Sequence, residues 1–345
     1  MIRLPSRLKR VLLGVLVLLL ITAAAGVSYR WLADRSDLAA TPPPGKLVDV
    51  GGHQLHIWCT GSAPLGTPSV LFDSGLGGDS FDWSDISPEV AKFTQACTYD
   101  RAGMGYSDRG PAPRTSGQIA EELAALIENS GIARPVVLVG LSFGGFNTRM
   151  VASKHPDLVA GLVLVSASHE SQGERYAAAG VPSGRPPDVL LKLGPIAASL
   201  GILRLAGVTL GSSPEGADPD VRKFVRATAY RTSRYQTMAD ELEHTRESGR
   251  EVAAARRQLT IPLAVVSPGN QSGRRAEINA EFQRDMATLS TRSCQIVAEK
   301  SGHGIGNQPE LVVAAIRDIV RAAGDEVLQL GCSSLAAPGA SDSRE

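Results

Sequence analysis

Ser142 is the residue in this chain best placed to do chemistry. It sits in Gly140-Leu141-Ser142-Phe143-Gly144, directly after the apolar run Val136-Val137-Leu138-Val139. The order is strand, then G-x-S-x-G, then a helical stretch at 143–155. Glycines at 140 and 144 permit a sharp turn where side chains would collide, and that turn would lift the Ser142 hydroxyl above the strand ends. The backbone N–H of Phe143 would then face a developing oxyanion, with the positive end of the following helix behind it. A serine nucleophile needs a base. His303, in Lys300-Ser301-Gly302-His303-Gly304, follows an apolar run at 294–299 and precedes a helical stretch at 307–323. Its side chain titrates near working pH, which suits proton shuttling. The competing reading of Ser142 is a structural Ser/Gly turn, and the buried strand on one side and helix on the other argue against it.

These residues need a scaffold that presents strand ends. Short apolar runs at 47–50, 53–59, 69–73, 97–100, 135–140, 161–166, 262–267 and 294–299 read as strands. Several lack polar alternation, which implies burial on both faces, as in a parallel sheet. Helical stretches at 115–130, 143–155 and 307–323 lie between or after them, with Thr115-Ser116 as a cap for the first. Strands alternating with helices predict α/β architecture with right-handed crossovers. From about Ser171 to Leu259 no strand is evident. Residues 172–218 are rich in Gly, Pro and Ala, and 221–258 are charged and helix-prone, so 171–259 reads as an inserted helical cap rather than a long loop. Residues 326–345 read as a C-terminal tail, rich in Ser, Ala and Gly after Cys332 and expected to be disordered there.

The first 27 residues stand apart from this scaffold. Arg3, Arg7, Lys9 and Arg10 precede a charge-free, mostly apolar run from Val11 to Val27. Basic residues before an apolar run direct export and keep the first residues cytoplasmic. A helix of that run reaches roughly 25 Å, the short end of a membrane span. Ala23-Ala24-Ala25 is also a possible cleavage site, so a signal anchor and a cleaved signal both stay open. Residues 28–45, ending in Thr41-Pro42-Pro43-Pro44-Gly45, read as a Pro-rich linker. The chain has 35 basic and 35 acidic residues and a formal charge of zero, which gives no electrostatic reason for a nucleic-acid partner. Four cysteines remain for an exported domain, an even count that suits disulfides in an oxidising compartment. None is spaced as CxxC, and no Cys/His cluster suggests a metal site.

The segment 46–325 closely resembles the α/β-hydrolase family. The Ser142 turn, Ser301-Gly302-His303, Asp73-Ser74-Gly75-Leu76-Gly77-Gly78 and Asp100-Arg101-Ala102-Gly103-Met104-Gly105-Tyr106-Ser107 carry the resemblance. It implies a mostly parallel eight-stranded sheet with helices on both faces, a core of 46–170 and 260–325, and a helical cap. It also implies that the N–H of Leu76 is the second oxyanion donor beside Phe143, although Ser74 stands where the family usually has His. The Asp100 and Arg101 charges would be structural, a local network that holds this loop itself beside the site. Strand two would run antiparallel beside strand four, bringing Cys59 to Cys97. Cys294 would meet Cys332 after the last helix returns.

The triad acid is less evident. The family places it after the seventh strand or, in some branches, after the sixth. After the seventh, the expected position holds Asn270, which can orient a histidine but not neutralise it. After the sixth, Ser166 stands at the strand end, where such relatives carry Asp or Glu. Glu170, four residues on, is the first choice for the acid, then Asn270 as orienter, then Glu277 if its loop folds back. His169, at the rim of strand six, would be near enough to touch substrate. His53, His56, His155 and His244 read as ordinary surface or packed residues. The expectation is a serine hydrolase of carboxylic esters or related acyl compounds that needs no metal or organic cofactor and takes a small-molecule substrate. A serine nucleophile argues against the epoxide and haloalkane chemistry that the family performs with a carboxylate. An amidase or aminopeptidase, and a non-catalytic ligand-binding protein, are the alternatives. The apolar stretch Leu190–Leu205 would roof the site and favour hydrophobic groups, or else pack on the sheet domain.

Overall fold

The computed structural model describes residues 5–182, 184, 186–209 and 218–324. The eight strands are β1 (Lys46–Asp49), β2 (Gln54–Thr60), β3 (Val70–Asp73), β4 (Ala96–Tyr99), β5 (Val136–Leu141), β6 (Val159–Val165), β7 (Leu263–Pro268) and β8 (Ser293–Ala298). They form one sheet in the order β1-β2-β4-β3-β5-β6-β7-β8. The β1–β2 and β2–β4 pairs are antiparallel, and the remaining pairs are parallel.

The central parallel strands β5, β6 and β7 bury both faces. Val136 and Leu138 of β5, Leu162 and Leu164 of β6, and Leu263 and Val265 of β7 join one core. Their alternates Val137, Val139, Val163, Val165, Ala264 and Val266 join the other. The period of two along each strand sends successive apolar side chains to opposite faces, which is why these runs carry no polar alternation. The first core is covered by α3 (Ser116–Asn129) and α4 (Gly144–Lys154), through residues such as Ile119, Leu123, Ile127 and Met150. The second is covered by α12 (Pro309–Ala323), through Val312, Ile316 and Ile319. Thr115 caps α3, its hydroxyl accepting from the Gln118 N–H.

At the N-terminus, α1 (Ser6–Ala40) continues well past the apolar run. Most of the expected linker is therefore helix, and only residues 41–45 connect it to β1. Nothing in 28–40 breaks a helix; the Pro42-Pro43-Pro44 run does. The short helix α2 (Ser87–Val90) precedes β4. Between β6 and β7 the chain forms α5 (Gln172–Ala178), α6 (Asp188–Ser199), α7 (Ile202–Leu205), α8 (Pro219–Thr228), α9 (Thr232–Glu243) and α10 (Thr245–Ala254). Then α11 (Gly273–Ala287) joins β7 to β8. The cap is bound to the core by polar contacts. Glu251 of α10 accepts from the Gly117 N–H at 2.7 Å, at the start of α3, where a helix favours an anion.

Cys59 and Cys97 stand opposite each other in the β2–β4 register and are joined by a disulfide. The expected Cys294–Cys332 pairing and the expected tail at 326–345 fall on residues outside those described.

Candidate active site

Among the described residues, three that are not glycine adopt positive φ: Ser142 at 51°, Ser166 at 44° and Ile305 at 58°. Such backbone costs about 1–3 kcal/mol each and persists only where the surroundings enforce it. All three lie in one place, at the C-terminal ends of β5 and β6 and in the loop between β8 and α12.

The first is the turn at Ser142. A Cβ at Gly140 would stand 2.5 Å from the Thr148 hydroxyl, and one at Gly144 would stand 2.4 Å from the Asp73 carbonyl. Both glycines are therefore required by close approach, as the motif implies. The Ser142 N–H donates to the Val165 carbonyl at 3.1 Å, and the Ser142 carbonyl accepts from Gly145 and Ser168. The turn is thus held by the neighbouring strand as well as by its own helix.

His303 reaches this serine, with Nε2 3.1 Å from Ser142 Oγ. Its other nitrogen, Nδ1, lies 2.7 Å from the hydroxyl of Ser166. Ser166 is buried, and its N–H donates to the Val266 carbonyl at 2.8 Å, which fixes it at the end of β6. Burial, and then the nearby charge of Arg275, lower the His303 pKa and so favour the neutral ring. The array is Ser142–His303–Ser166, with a neutral hydroxyl where an acid was expected.

Glu170 is elsewhere. Its carboxylate is paired with Arg149 of α4 at 2.7 Å and with Arg256 at 2.7 Å. Those hydrogen bonds and charges hold its pKa well below the usual carboxylate range against the opposing effect of burial. It is a clamp between α4 and the end of the cap, and the structure does not bring it to His303. Asn270 is exposed, with its backbone N–H donating to the Ser301 carbonyl at 3.0 Å. It supports the histidine loop through the backbone, while Ser166 holds Nδ1. Glu277 is exposed on α11 and pairs with Arg274 at 2.9 Å. His169 is stacked on Phe282, with centroids 4.3 Å apart, and its Nε2 lies 2.8 Å from Asp285, so it braces α11 instead of reaching the serine.

The loop carrying Leu76 passes directly beside Ser142. A Cβ on Gly75 would stand 3.6 Å from Ser142 Cβ. The loop is held from below by Arg101, whose Nη1 donates to Asp73 and to the Ser74 carbonyl at 2.7 Å each, and whose Nη2 donates to the Gly75 carbonyl at 2.7 Å. The same guanidinium donates through Nε to Glu241 of α9 at 2.8 Å, and it lies 5.7 Å from the Phe143 ring centroid. Glu241 also accepts from the Gly77 N–H at 3.3 Å. One buried cation therefore joins the two backbone segments expected to bind an oxyanion to the cap helix above them. The sequence pointed to a structural role for this loop; the partner Glu241, 140 residues away, carried no local signal.

Asp100, next in chain, pairs with buried His56 at 2.8 Å and accepts from the Ser80 and Tyr106 N–H groups. These contacts hold its pKa at about 2 despite burial. His56 also bonds the Pro44 carbonyl, which ties the connector after α1 to the core. It is a packed residue, as expected, but in an ion pair. Asp82 lies under the same loop, with a carboxylate oxygen 2.1 Å from where a Cβ on Gly78 would stand. Its side chain reaches solvent, yet burial by the surrounding protein and then the charge of Asp79 push its pKa up to about 7.

The Leu190–Leu205 stretch turns most of its large apolar side chains away from the sheet domain. Leu191 is buried, but Leu190, Leu193, Ile196, Ile202 and Leu205 face outwards. The helix over the site is α9, which places Met238 against Gly77 and Thr237 against Gly103.

A family model described as "Alpha/beta hydrolase family" matches residues 70–315. The chain belongs to the alpha/beta hydrolase family. A relative from Gibberella zeae described as an AB hydrolase superfamily protein is 22% identical over 292 residues, covering 74% of this chain and 86% of its own. An uncharacterized vacuolar membrane protein of Saccharomyces cerevisiae is 35% identical over 133 residues, covering 34% of this chain and 21% of its own. This chain thus spans about a fifth of that yeast protein's length. The fold is shared with the enol-lactonase from Burkholderia xenovorans LB400, at TM-score 0.55, 17% identity and coverage of 80% and 100% of the two chains. It is shared likewise with a thermophilic esterase from Thermogutta terrifontis, at TM-score 0.52, 23% identity and coverage of 79% and 94%.

Proposed function

We propose that this hydrolase-family chain cleaves carboxylic esters, or related acyl compounds, through an acyl-enzyme on Ser142. The observation that carries the reading is the hydrogen-bond contact between Ser142 Oγ and His303 Nε2 on a strained turn. In the first step Oγ attacks the carbonyl carbon and its proton passes to Nε2. The carbonyl π pair moves to oxygen, where the Leu76 and Phe143 N–H groups stabilise it. Collapse expels the alcohol, which takes the proton from His303. A water molecule, deprotonated by the same ring, then releases the acid and restores the serine. Ser166 accepts the Nδ1–H and fixes the tautomer. It does not neutralise the imidazolium, so turnover is slow beside an enzyme with a carboxylate at this position. That neutral partner favours one second reading, a ligand-binding protein with vestigial turnover. Nothing in the cap separates ester from amide substrates.

The helix α1 fits a retained signal anchor. It has a mean hydropathy of 2.6 over its apolar window, and that window is unburied. With its basic end cytoplasmic, the hydrolase domain stands on the exported side, where the Cys59–Cys97 disulfide is stable.

The test is labelling of the full-length protein, in detergent, with a fluorophosphonate, together with hydrolysis of short-chain and medium-chain p-nitrophenyl esters. Ser142→Ala abolishes both in the catalytic reading. Absence of both in the parent protein would leave the ligand-binding reading.

A further inference from the structure

The exposed large hydrophobic side chains of the described residues are not scattered. Outside α1 they fall at Leu47, Leu65 and Val297, and then in one stretch of the cap from Val189 to Val208. Single exposed apolar residues need no explanation, whereas a contiguous apolar face signals a partner. That stretch is the outward side of α6 and of α7.

Its position is set by α1. A Cβ at Gly26 would stand 2.3 Å from the Leu200 carbonyl, so the helices touch backbone to backbone. Arg30 Nε donates to the Ser199 carbonyl at 3.2 Å. Arg204 of α7 pairs with Asp34 at 2.8 Å and Asp37 at 2.6 Å. The cap is therefore locked to α1 between residues 26 and 37.

The charge-free part of α1 runs from Val11 to Tyr29 and ends at Arg30. At ~1.5 Å per residue it spans about 28 Å, close to the ~30 Å hydrocarbon core of a bilayer. Residues 26–30, where the cap makes contact, thus lie where such a helix leaves the hydrocarbon. Tyr29 and Trp31, both exposed, stand at the same level, as aromatic side chains do at a membrane boundary. A face attached there meets headgroups and upper acyl chains, not bulk water.

We infer that the outward face of α6–α7 (Val189, Leu190, Leu193, Ile196, Ile202 and Leu205) is a membrane-docking surface, seated in the headgroup boundary of the bilayer that α1 crosses. The inference rests on reading α1 as a membrane span. The occupant is lipid because the face is attached to α1 at Gly26 and Arg30, where the exposed apolar run of α1 ends. Lys192, exposed on α6, adds a cation of the kind that anionic headgroups attract. The cap then rests on the membrane with α9 between lipid and Ser142, so an amphiphilic ester resident in the bilayer is delivered to the cap side of the site.

The test uses the full chain in vesicles of phosphatidylcholine and phosphatidylglycerol. Among the described residues no cysteine is free, so nitroxide labels can be placed at Leu193→Cys and Leu205→Cys, with Leu16→Cys and Leu65→Cys as references. The expected result is a several-fold higher ratio of oxygen to nickel-chelate accessibility at 193 and 205 than at 65, with 16 deeper still. Aqueous values at 193 and 205 with a lipid-buried 16 would overturn the docking surface and leave the anchor standing. An aqueous 16 would overturn both. Dipolar broadening between labels on separate copies would overturn lipid in favour of a second copy.

Discussion

Replacing Ser166 by aspartate is the most informative single change. His303 Nδ1 lies 2.7 Å from the Ser166 hydroxyl, so a carboxylate there would sit with its charge about 4 Å from that of an imidazolium. At an effective dielectric of about 20, appropriate to a partly buried pair, the attraction is ~4 kcal/mol. Desolvating the new carboxylate takes back part of this. What remains acts on the transition state, where His303 is protonated, and not on the resting ring. A net 3–4 kcal/mol corresponds to roughly 10²–10³ in kcat. That agrees in order with the ~10⁴ lost when a triad carboxylate is replaced by a neutral group. The backbone accepts the change, because Ser166 has φ 44° and aspartate tolerates the left-handed region better than most residues. The assay is steady-state hydrolysis of p-nitrophenyl esters over pH 5–9. Ser166→Asp raises kcat, and the acid limb moves to higher pH because the carboxylate raises the His303 pKa. A folded variant with unchanged kcat and an unmoved acid limb would refute the assignment of Ser166 as the partner of Nδ1.

Other outcomes follow from the same contacts. Glu170→Gln leaves kcat on p-nitrophenyl esters near the parent value but lowers the melting temperature at pH 7, because it breaks a clamp to Arg149 and Arg256 and touches neither Ser142 nor His303. Glu170 has a depressed pKa in the fold, so its contribution is present above the unfolded carboxylate pKa and fades as pH falls below it; the gap between variant and parent should shrink on acidification. Glu241→Gln strips Arg101 of a buried partner and costs about 3 kcal/mol of stability by chemical denaturation; kcat also falls, because Arg101 carries the Ser74 and Gly75 carbonyls. Asp82 works the other way. With its folded pKa raised to about 7, stability declines as pH climbs from the unfolded carboxylate value to 7, so Asp82→Asn is more heat-stable than the parent at pH 8 and indistinguishable from it below pH 4. An equal stabilisation at both pH values would contradict that account.

What lay close together in the chain was legible in the sequence. The eight strands follow from apolar runs, and in β5, β6 and β7 alternate residues fill two cores. The Ser142 turn follows from two glycines whose Cβ atoms would collide with a hydroxyl and a carbonyl. The helices between β6 and β7 follow from an interval without strands. These are local consequences of period and turn chemistry. The prolines at 42–44 mark only where α1 stops, at Ala40; residues 28–40 carry no helix breaker, and so most of the expected linker is helix.

The partner of Nδ1 could not be chosen from sequence. Ser166 and Glu170 are four residues apart, and chemistry alone favours the carboxylate. The tertiary structure decides it, because Arg149 on α4 and Arg256 beyond α10 converge on Glu170, while β6 delivers Ser166 to His303. Arg101 and Glu241, 140 residues apart, likewise meet only when α9 is laid over the sheet. The Leu190–Leu205 stretch was visibly apolar, but whether it covers the serine or faces outwards depends on where α1 and α9 pack. Periodicity says which residues share a face of one element. Which face meets which partner is fixed by contacts between elements far apart in the chain, and those are absent from any local window.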